Sequence, residues 1–341
     1  MNTSKKGATV RPEELKLWLP VDAVIANDRP AIEWMDLRGV EFKEPFFTET
    51  LERVNDEELR RRVTTDIDTL LQFEKSCAGL SPAGFIFHGS RCGSTLVANA
   101  CRGLAGSLVM SEAPPIDKII SRFFTDAEPG STKELLYLVL LRATVSALGQ
   151  RLKGEESRYF VKLACTSTLQ MKRLRHIWPN IPFVFIYRDP VEVIVSNLRA
   201  IPEWMKPESN PATAAAIVGV DSDQLNSLSP EEYCARALGR FYSTASANLD
   251  ARTAFVNYEQ LSVEVLIEIV RFFGIEPTAA ERDVIDKVSR LYSKDLTRIQ
   301  KFEPDSAAKR SLASPRVWEL SEKWARSEYE CLNKNALAQF S

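Results

Sequence analysis

Residues 84–97 constrain the fold more than any other stretch of this 341-residue chain, because they combine a strand, a glycine-containing turn and a helix start. Residues 85–87 form a short apolar run of the kind found in fully buried strands. Gly89 and Gly93 relieve the backbone strain of the turn, and apolar residues then repeat at helical spacing over 96–104. Free backbone N–H groups at such a helix start bind anions, so the segment predicts an anion-binding loop.

The loop differs from the nucleotide triphosphate motif of Walker type. That motif has four residues between its glycines and a Lys before the Ser/Thr. Here Gly89 and Gly93 enclose three residues, and Ser94 stands where the Lys would be. The positive charge comes instead from Arg91, inside the loop.

A second segment, residues 181–196, has the same strand-to-helix organisation. Its apolar strand ends in Arg188, and Asp189 and Pro190 are typical of an N-cap and a first helical position. Ser196 follows Arg188 by eight residues. A guanidinium that pairs bidentately with phosphate oxygens, together with a hydroxyl donor on the adjoining helix, suits a terminal phosphate dianion.

Together the two segments resemble the phosphate motifs of sulfotransferases that use 3′-phosphoadenosine 5′-phosphosulfate (PAPS). The first resembles the 5′-phosphosulfate loop in its Arg-containing version, found in tyrosylprotein and carbohydrate sulfotransferases. The second resembles the 3′-phosphate motif and implies that Arg188 and Ser196 bind that phosphate. The implied contacts of the loop are Ser90, Arg91, Cys92, Gly93, Ser94 and Thr95.

The resemblance implies an enzyme that moves a sulfuryl group from PAPS to a hydroxyl or amine, releasing adenosine 3′,5′-bisphosphate (PAP). PAPS would be the co-substrate, no metal would be required, and the acceptor would be a small molecule or a glycan. Two alternatives stay open. A P-loop nucleotide kinase is disfavoured by the missing Lys, and a catalytically inactive nucleotide-binding protein is disfavoured because candidates exist for every catalytic role.

Three residues are candidates for the chemistry. Arg91 would neutralise the leaving phosphate. Glu112, just beyond the second strand, resembles the catalytic Glu of tyrosylprotein and heparan sulfotransferases and is the predicted general base. Lys162, a cation in an apolar strand, resembles a catalytic Lys of the tyrosylprotein enzymes. Glu112 has the alternative of being only a helix N-terminal acid, in which case His88 is one candidate base. Lys162 has the alternative of extending to solvent from a strand edge.

Two later segments extend the resemblance. Residues 254–261 resemble the Tyr-Glu-x-Leu segment whose Tyr contacts the adenine, which implies that role for Tyr258. Residues 302–310 resemble the basic segment that closes over the 3′-phosphate, and Lys309 and Arg310 are its candidates.

Composition limits the other possibilities. A net charge of −2 gives no reason to expect nucleic acid or anionic membrane as a partner. The six cysteines are scattered without CxxC pairs, so neither a zinc site nor a disulfide framework is indicated. The longest apolar stretch, residues 135–141, is too short to span a bilayer, and the N-terminus has no apolar signal region. The expectation is a cytoplasmic protein.

Strands and helices alternate from Pro82 onward, which predicts an α/β fold with a parallel sheet, P-loop-like and covered by helices on both faces. The predicted strands are 84–88, 107–111, 158–163, 182–187 and 253–257. The predicted helices are 94–104, 115–125, 132–150, 167–177, 190–200 and 230–248. Residues 81–341 form the predicted sulfotransferase-like domain. Residues 1–80 are expected to be an extension, an irregular flap followed by helices, that packs on this domain.

Overall fold

The computed structural model describes residues 10–26, 28–57, 60–77, 79–291 and 305–336. In chain order the strands are β1 Trp18–Ala26, β2 Arg29–Asp36, β3 Arg62–Asp66, β4 Gly84–His88, β5 Ser107–Ser111, β6 Arg158–Lys162, β7 Phe183–Tyr187 and β8 Thr253–Asn257. The helices are α1 Phe47–Glu57, α2 Ile67–Ser76, α3 Ser94–Arg102, α4 Pro114–Lys118, α5 Thr132–Leu148, α6 Met171–Ile177, α7 Pro190–Arg199, α8 Pro211–Val218, α9 Ser222–Leu225, α10 Pro230–Ala247, α11 Val263–Phe272, α12 Ala279–Ser289, α13 Ser306–Ser311, α14 Pro315–Trp324 and α15 Arg326–Ala336.

Strands β4 to β8 form a five-stranded parallel sheet in the order β5-β6-β4-β7-β8. Successive side chains of a strand point to opposite faces, and two separate hydrophobic clusters follow this alternation. Phe85 and Phe87 of β4 join one cluster, which includes residues of α5, α7 and α10, whereas Ile86 joins the other, with residues of α3 and α11. Helices therefore cover both faces of the sheet, and the predicted α/β class is confirmed.

The predicted strands and helices of the sheet region agree closely with the structure. The main local difference follows Lys118, where α4 gives way to a π-helical turn at Ile119–Phe123 and a 3₁₀ turn at Phe124–Asp126. The predicted helix at 167–177 likewise begins as a 3₁₀ turn, Cys165–Gln170, before α6. Both segments remain helical, so the topology is unaffected.

The N-terminal region differs from the sequence expectation. Helices α1 and α2 are present, but strands β1, β2 and β3 form an antiparallel sheet. Strands β1 and β2 lie where an irregular flap was predicted, and β3 lies in a stretch that was predicted to be helical. A register shift between Pro20 and Asp22 interrupts β1, so the strand lacks a regular alternation of apolar and polar residues. Residues of this sheet, including Trp34, belong to the same hydrophobic cluster as Phe85.

Parallel strands present their carboxyl ends at one edge of the sheet, and loops that follow them meet there. A glycine is required where the first of these loops turns into α3. Gly93 has a φ of +85°, and a Cβ there would lie 2.6 Å from the Leu261 side chain. Among the described residues, no helix is long and apolar enough to cross a membrane.

Candidate active site

A cleft of about 1070 Å³ lies at the carboxyl edge of the parallel sheet. Every one of the five strands ends at or just before a residue of its lining. These residues are His88 at the end of β4, Glu112 after β5, Lys162 at the end of β6, Arg188 after β7 and Tyr258 after β8. The structure thus brings the predicted site residues together in one cavity, with Arg310 as the exception.

The loop between β4 and α3 has the backbone of an anion-binding turn. Five described non-glycine residues have positive φ, and three of them, Ser90, Arg91 and Glu112, line this cleft. Left-handed residues in sequence turn consecutive N–H groups toward one side of the chain. The Ser94 and Thr95 N–H groups precede the first helical hydrogen bond of α3, from Leu96 N–H to the Gly93 carbonyl. They are available to an anion in the cleft.

Asn197, a fully buried residue of α7, holds the loop from behind. Its Oδ1 accepts from Ser90 Oγ at 3.2 Å and from Arg91 Nε at 3.3 Å. Arg91 Nη2 also donates to the Ala200 carbonyl at 2.9 Å, at the C-terminal end of α7. Arg91 is therefore oriented by neutral oxygens, and its charge is not cancelled by a carboxylate at ion-pair distance within the described ranges.

Cys92 occupies the middle of the loop but faces inward. Its thiol donates to the Ile186 carbonyl at 3.0 Å. Burial raises the pKa of the thiol to about 12. Cys92 is therefore a neutral structural thiol rather than a nucleophile.

The predicted base and the predicted catalytic cation form an ion pair. Lys162 Nζ, in a residue only 1% exposed, donates to Glu112 Oε1. The Lys162 ammonium also lies 4.8 Å from the centre of the Phe46 ring. Burial by itself would raise the pKa of Glu112, but the adjacent Lys162 and His88 outweigh it, so that the pKa lies well below its ordinary value.

His88 lines the cleft and contacts both the loop and Glu112. Its Nδ1 accepts a hydrogen bond from the Ser90 backbone N–H at 3.1 Å, and its Nε2 lies 3.4 Å from Glu112 Oε1. This arrangement assigns the ring proton of neutral His88 to Nε2, where it points at the carboxylate. A histidine in this tautomer has no free lone pair on the Glu112 side, so the geometry favours Glu112 over His88 as a proton acceptor.

Arg188 lies at the other end of the cleft, and its guanidinium is paired with carboxylates through Nε and Nη2. Its Nε donates to Glu192 Oε2 at 2.5 Å, and its Nη2 donates to Asp305 Oδ1 at 2.7 Å and to Ser306 Oγ at 3.0 Å. The Tyr258 ring stacks on it, with 3.9 Å between the guanidinium carbon and the ring centre. Ser196 also lines the cleft.

Residues 302–304 of the predicted basic segment lie outside the described residues, whereas Lys309 and Arg310 lie within them. Lys309 is buried, lines the cleft and pairs with Asp305 Oδ2 at 2.7 Å. Arg310 does not line the cleft. Its guanidinium pairs with Glu192 and with Glu259, each at 2.7 Å.

Several residues of the site could not be singled out from the sequence, because apart from Glu192 nothing in their local sequence marks them. Asn197, Glu192, Asp305 and Phe46 reach the cleft or its walls from three different parts of the chain. Arg199, the last residue of α7, and Trp204, in the segment after α7, also line the cleft. Only the spacing of Glu192, four residues after Arg188 on one helix, contained a signal for its ion pair.

Among the described residues, no group of three or more His, Cys, Asp or Glu side chains is arranged to hold a metal ion. No protein-family model matches the chain, and no curated protein sequence does.

Several solved structures are similar to this one in fold. A sulfotransferase from Alicyclobacillus acidocaldarius is 13% identical with a TM-score of 0.44, over 75% of this chain and 96% of that one. The sulfotransferase domain of a Synechococcus olefin synthase is 18% identical with a TM-score of 0.36, over 73% and 96% of the two chains. A sulfotransferase from Mycobacterium tuberculosis is 15% identical with a TM-score of 0.38, over 73% and 78%. At these levels of similarity, the function must be inferred from the residues of the cleft.

Proposed function

We propose that this protein is a PAPS-dependent sulfotransferase that moves a sulfuryl group to a hydroxyl or amine of a small-molecule or glycan acceptor. One observation carries the proposal: both phosphate motifs and the Glu112–Lys162 pair line a single cleft. The cleft volume of about 1070 Å³ is just above the usual range for pockets that enclose a small-molecule ligand, roughly 300–1,000 Å³, so the cleft has room for a nucleotide.

The loop end of the cleft suits the phosphosulfate group. Backbone N–H groups at the start of α3 and the Ser94 and Thr95 hydroxyls offer donors, and Arg91 offers a cation held in place by neutral oxygens. Such fixed donors stabilise the charge that collects on the 5′-phosphate as it leaves. The other end, with Arg188 and Lys309, would take the 3′-phosphate.

The reaction then needs one proton acceptor and one mobile cation. The acceptor oxygen or nitrogen attacks sulfur, the bond from sulfur to the 5′-phosphate oxygen breaks with its electron pair on the phosphate, and the acceptor proton passes to Glu112. Lys162 would turn from Glu112 to the oxygens of the transferring group. Loss of this partner raises the pKa of Glu112 from its depressed value and makes the carboxylate a better base at the moment it is required.

The acceptor is expected to approach beside Glu112, near Phe46, whose ring centre lies 4.8 Å from Lys162 Nζ; Trp204 also lines the cleft. Phe46 comes from the N-terminal region and Trp204 from the segment between α7 and α8. Aromatic rings suit the apolar face of an acceptor ring or sugar. This assignment gives residues 1–80 a part in acceptor binding.

The kinase alternative predicts that ATP with Mg²⁺ is the preferred ligand, and two observations disfavour it. The loop has Ser94 where a Walker loop has its Lys, and no acidic cluster is arranged for a divalent ion in the part of the chain that the structure describes.

Titration calorimetry and thermal shift with PAP, AMP and ATP plus Mg²⁺ test the proposal. PAP is expected to bind most tightly and to raise the melting temperature most, because only PAP places a phosphate against Arg188 and Lys309. Preferential binding of ATP with Mg²⁺ would contradict the proposal and favour a kinase. Incubation with PAPS labelled on sulfur and a panel of phenols, amino sugars and glycans then identifies the acceptor class.

A further inference from the structure

The predicted 3′-phosphate subsite contains a carboxylate of the protein itself. Asp305 bridges the two cations that line this end of the cleft, with Oδ1 at 2.7 Å from Arg188 Nη2 and Oδ2 at 2.7 Å from Lys309 Nζ. A phosphate group makes the same kind of paired contact with two cations through two of its oxygens. Asp305 thus occupies the position that a terminal phosphate needs.

Among the described residues, the charges that pair with Arg188 and its neighbours are balanced while Asp305 is in place. The ion pairs that include Arg188, Lys309 and Arg310 also contain three carboxylates, those of Glu192, Asp305 and Glu259. A phosphate dianion entering this cluster would meet no excess positive charge from these six described residues and would lie against a carboxylate. Removal of one carboxylate from the pocket restores a net positive charge and two free hydrogen-bond donors.

Only one of the three carboxylates is placed to leave and to free both cleft cations. The Glu192 side chain is 0% exposed and holds Arg188 and Arg310 from below. Glu259 pairs with Arg310, which does not line the cleft. The Asp305 side chain is 46% exposed, so rotation about its own bonds can transfer the carboxylate to water.

We infer that Asp305 is an internal competitor of the nucleotide's 3′-phosphate and weakens its binding, because a ligand with a 3′-phosphate must displace the Asp305 carboxylate from Arg188 and Lys309. The inference depends on the proposed function, since it assumes that this end of the cleft takes a phosphate. A dianionic phosphate makes stronger charge-assisted bonds than a carboxylate and can displace it. A nucleotide without that phosphate leaves Asp305 in place, so Asp305 weakens the binding of PAP and has little effect on the binding of AMP.

The test compares Asp305→Asn with the wild-type protein in calorimetric titrations with PAP and with AMP, which lacks the 3′-phosphate. The apparent affinity of a site is reduced by the fraction of molecules in the competent state, so removing the competitor is expected to strengthen PAP binding by about tenfold. AMP affinity is expected to change by less than about twofold, because AMP does not reach Arg188. The free variant should also melt at a lower temperature than wild type, since Arg188 and Lys309 then repel each other without their shared partner.

Glu259→Gln is the matched control, because it removes a carboxylate of the same cluster without freeing Arg188 or Lys309. An equal gain in PAP affinity for both variants would show a general charge effect and overturn the inference, as would unchanged or weaker PAP binding by Asp305→Asn. Asp305→Ser makes the same comparison with a different side chain if the amide variant folds poorly, as judged by circular dichroism. If wild type and all three variants bind PAP no better than AMP, the proposed function itself fails.

Discussion

At the loop end of the cleft Arg91 donates to the neutral oxygens of Asn197 and Ala200, whereas at the other end Arg188 is paired with the carboxylates of Glu192 and Asp305. The first arrangement leaves a positive charge uncompensated and the anion subsite ready. The second balances the charge and fills the subsite. Both arginines are predicted from the sequence as phosphate ligands, but they form different binding sites. The partners of each arginine determine how much positive charge a ligand meets.

The ion pair between Glu112 and Lys162 lies close to the loop end and adds a third arrangement. In this pair the Glu112 carboxylate is the proposed general base, and its partner is the buried Lys162 ammonium on the neighbouring strand. The Glu112 backbone has a φ of 51° and donates to the Lys162 carbonyl at 2.7 Å. Left-handed backbone at a non-glycine residue is unfavourable by roughly 1–3 kcal/mol and is found mainly where function requires it. Glu112 therefore differs from Asp305, whose half-exposed side chain can rotate away from Arg188 and Lys309 into water.

The largest effect is expected on turnover, from a change at Glu112 that leaves nucleotide binding intact. Glu112→Gln keeps the shape of the side chain but removes its charge, and a general base contributes roughly 10²–10⁴-fold in rate. The turnover with an acceptor is expected to fall by that factor, while PAP affinity stays within error of wild type. The measurement is transfer of sulfur label under single-turnover conditions, with calorimetry for PAP.

Turnover near the wild-type value, with chemistry shown to limit the rate, would contradict the role of Glu112. His88→Gln is the companion variant. Because His88 holds Glu112 without accepting a proton from it, its loss should reduce turnover less than the loss of Glu112 does.

The next effect compares the two arginines directly. Arg188→Ala is expected to weaken PAP by about 1.5–3 kcal/mol, which is the range for hydrogen bonds to charged groups, and to leave AMP binding nearly unchanged. Arg91→Ala is expected to weaken PAP and AMP together and also to slow transfer, because its charge meets the phosphate that both ligands share. Calorimetry with both ligands on both variants measures the difference. Equal losses of PAP and AMP affinity in Arg188→Ala would contradict the assignment of Arg188 to the 3′-phosphate.

The smallest effect is the pH dependence of PAP affinity, which we assign to Lys309 at the Arg188 end of the cleft. Burial lowers the pKa of Lys309 from its ordinary value, with Asp305 opposing the shift. An anionic ligand binds the protonated amine better, so PAP affinity is highest below the pKa of Lys309 and declines as the pH rises through it. The expected decline is about fivefold and begins at a lower pH than an ordinary lysine would give.

Lys309→Arg supplies the control for this pH dependence, because a guanidinium stays charged throughout the range. PAP affinity of the Arg variant is expected to be flat where that of wild type declines. The same decline in both proteins would assign it to another group. Titrations at several pH values, with AMP as the reference ligand, measure the difference.

Local sequence patterns were sufficient to predict the five strands of the parallel sheet and the helices that follow them. Apolar runs such as residues 85–87 are buried on both faces, and Asp189 caps α7 as its position before Pro190 indicates. The antiparallel sheet of the N-terminal region was missed. Its first two strands pair from Ala26 with Arg29 onward, but the irregular register at Pro20 and Asp22 hides the alternation of apolar and polar residues.

Local sequence patterns establish which residues follow the ends of the strands, and therefore which side chains meet at one edge of a parallel sheet. The partners that those side chains contact depend on the tertiary structure. Asn197 holds Ser90 across 107 residues of sequence, and Asp305 reaches Arg188 across 117. Strand and helix periods repeat over a few residues, so they cannot specify such distant pairs. The order of the strands and the packing of the helices specify them, and these pairs leave Arg91 open to an anion while they balance the charge of Arg188.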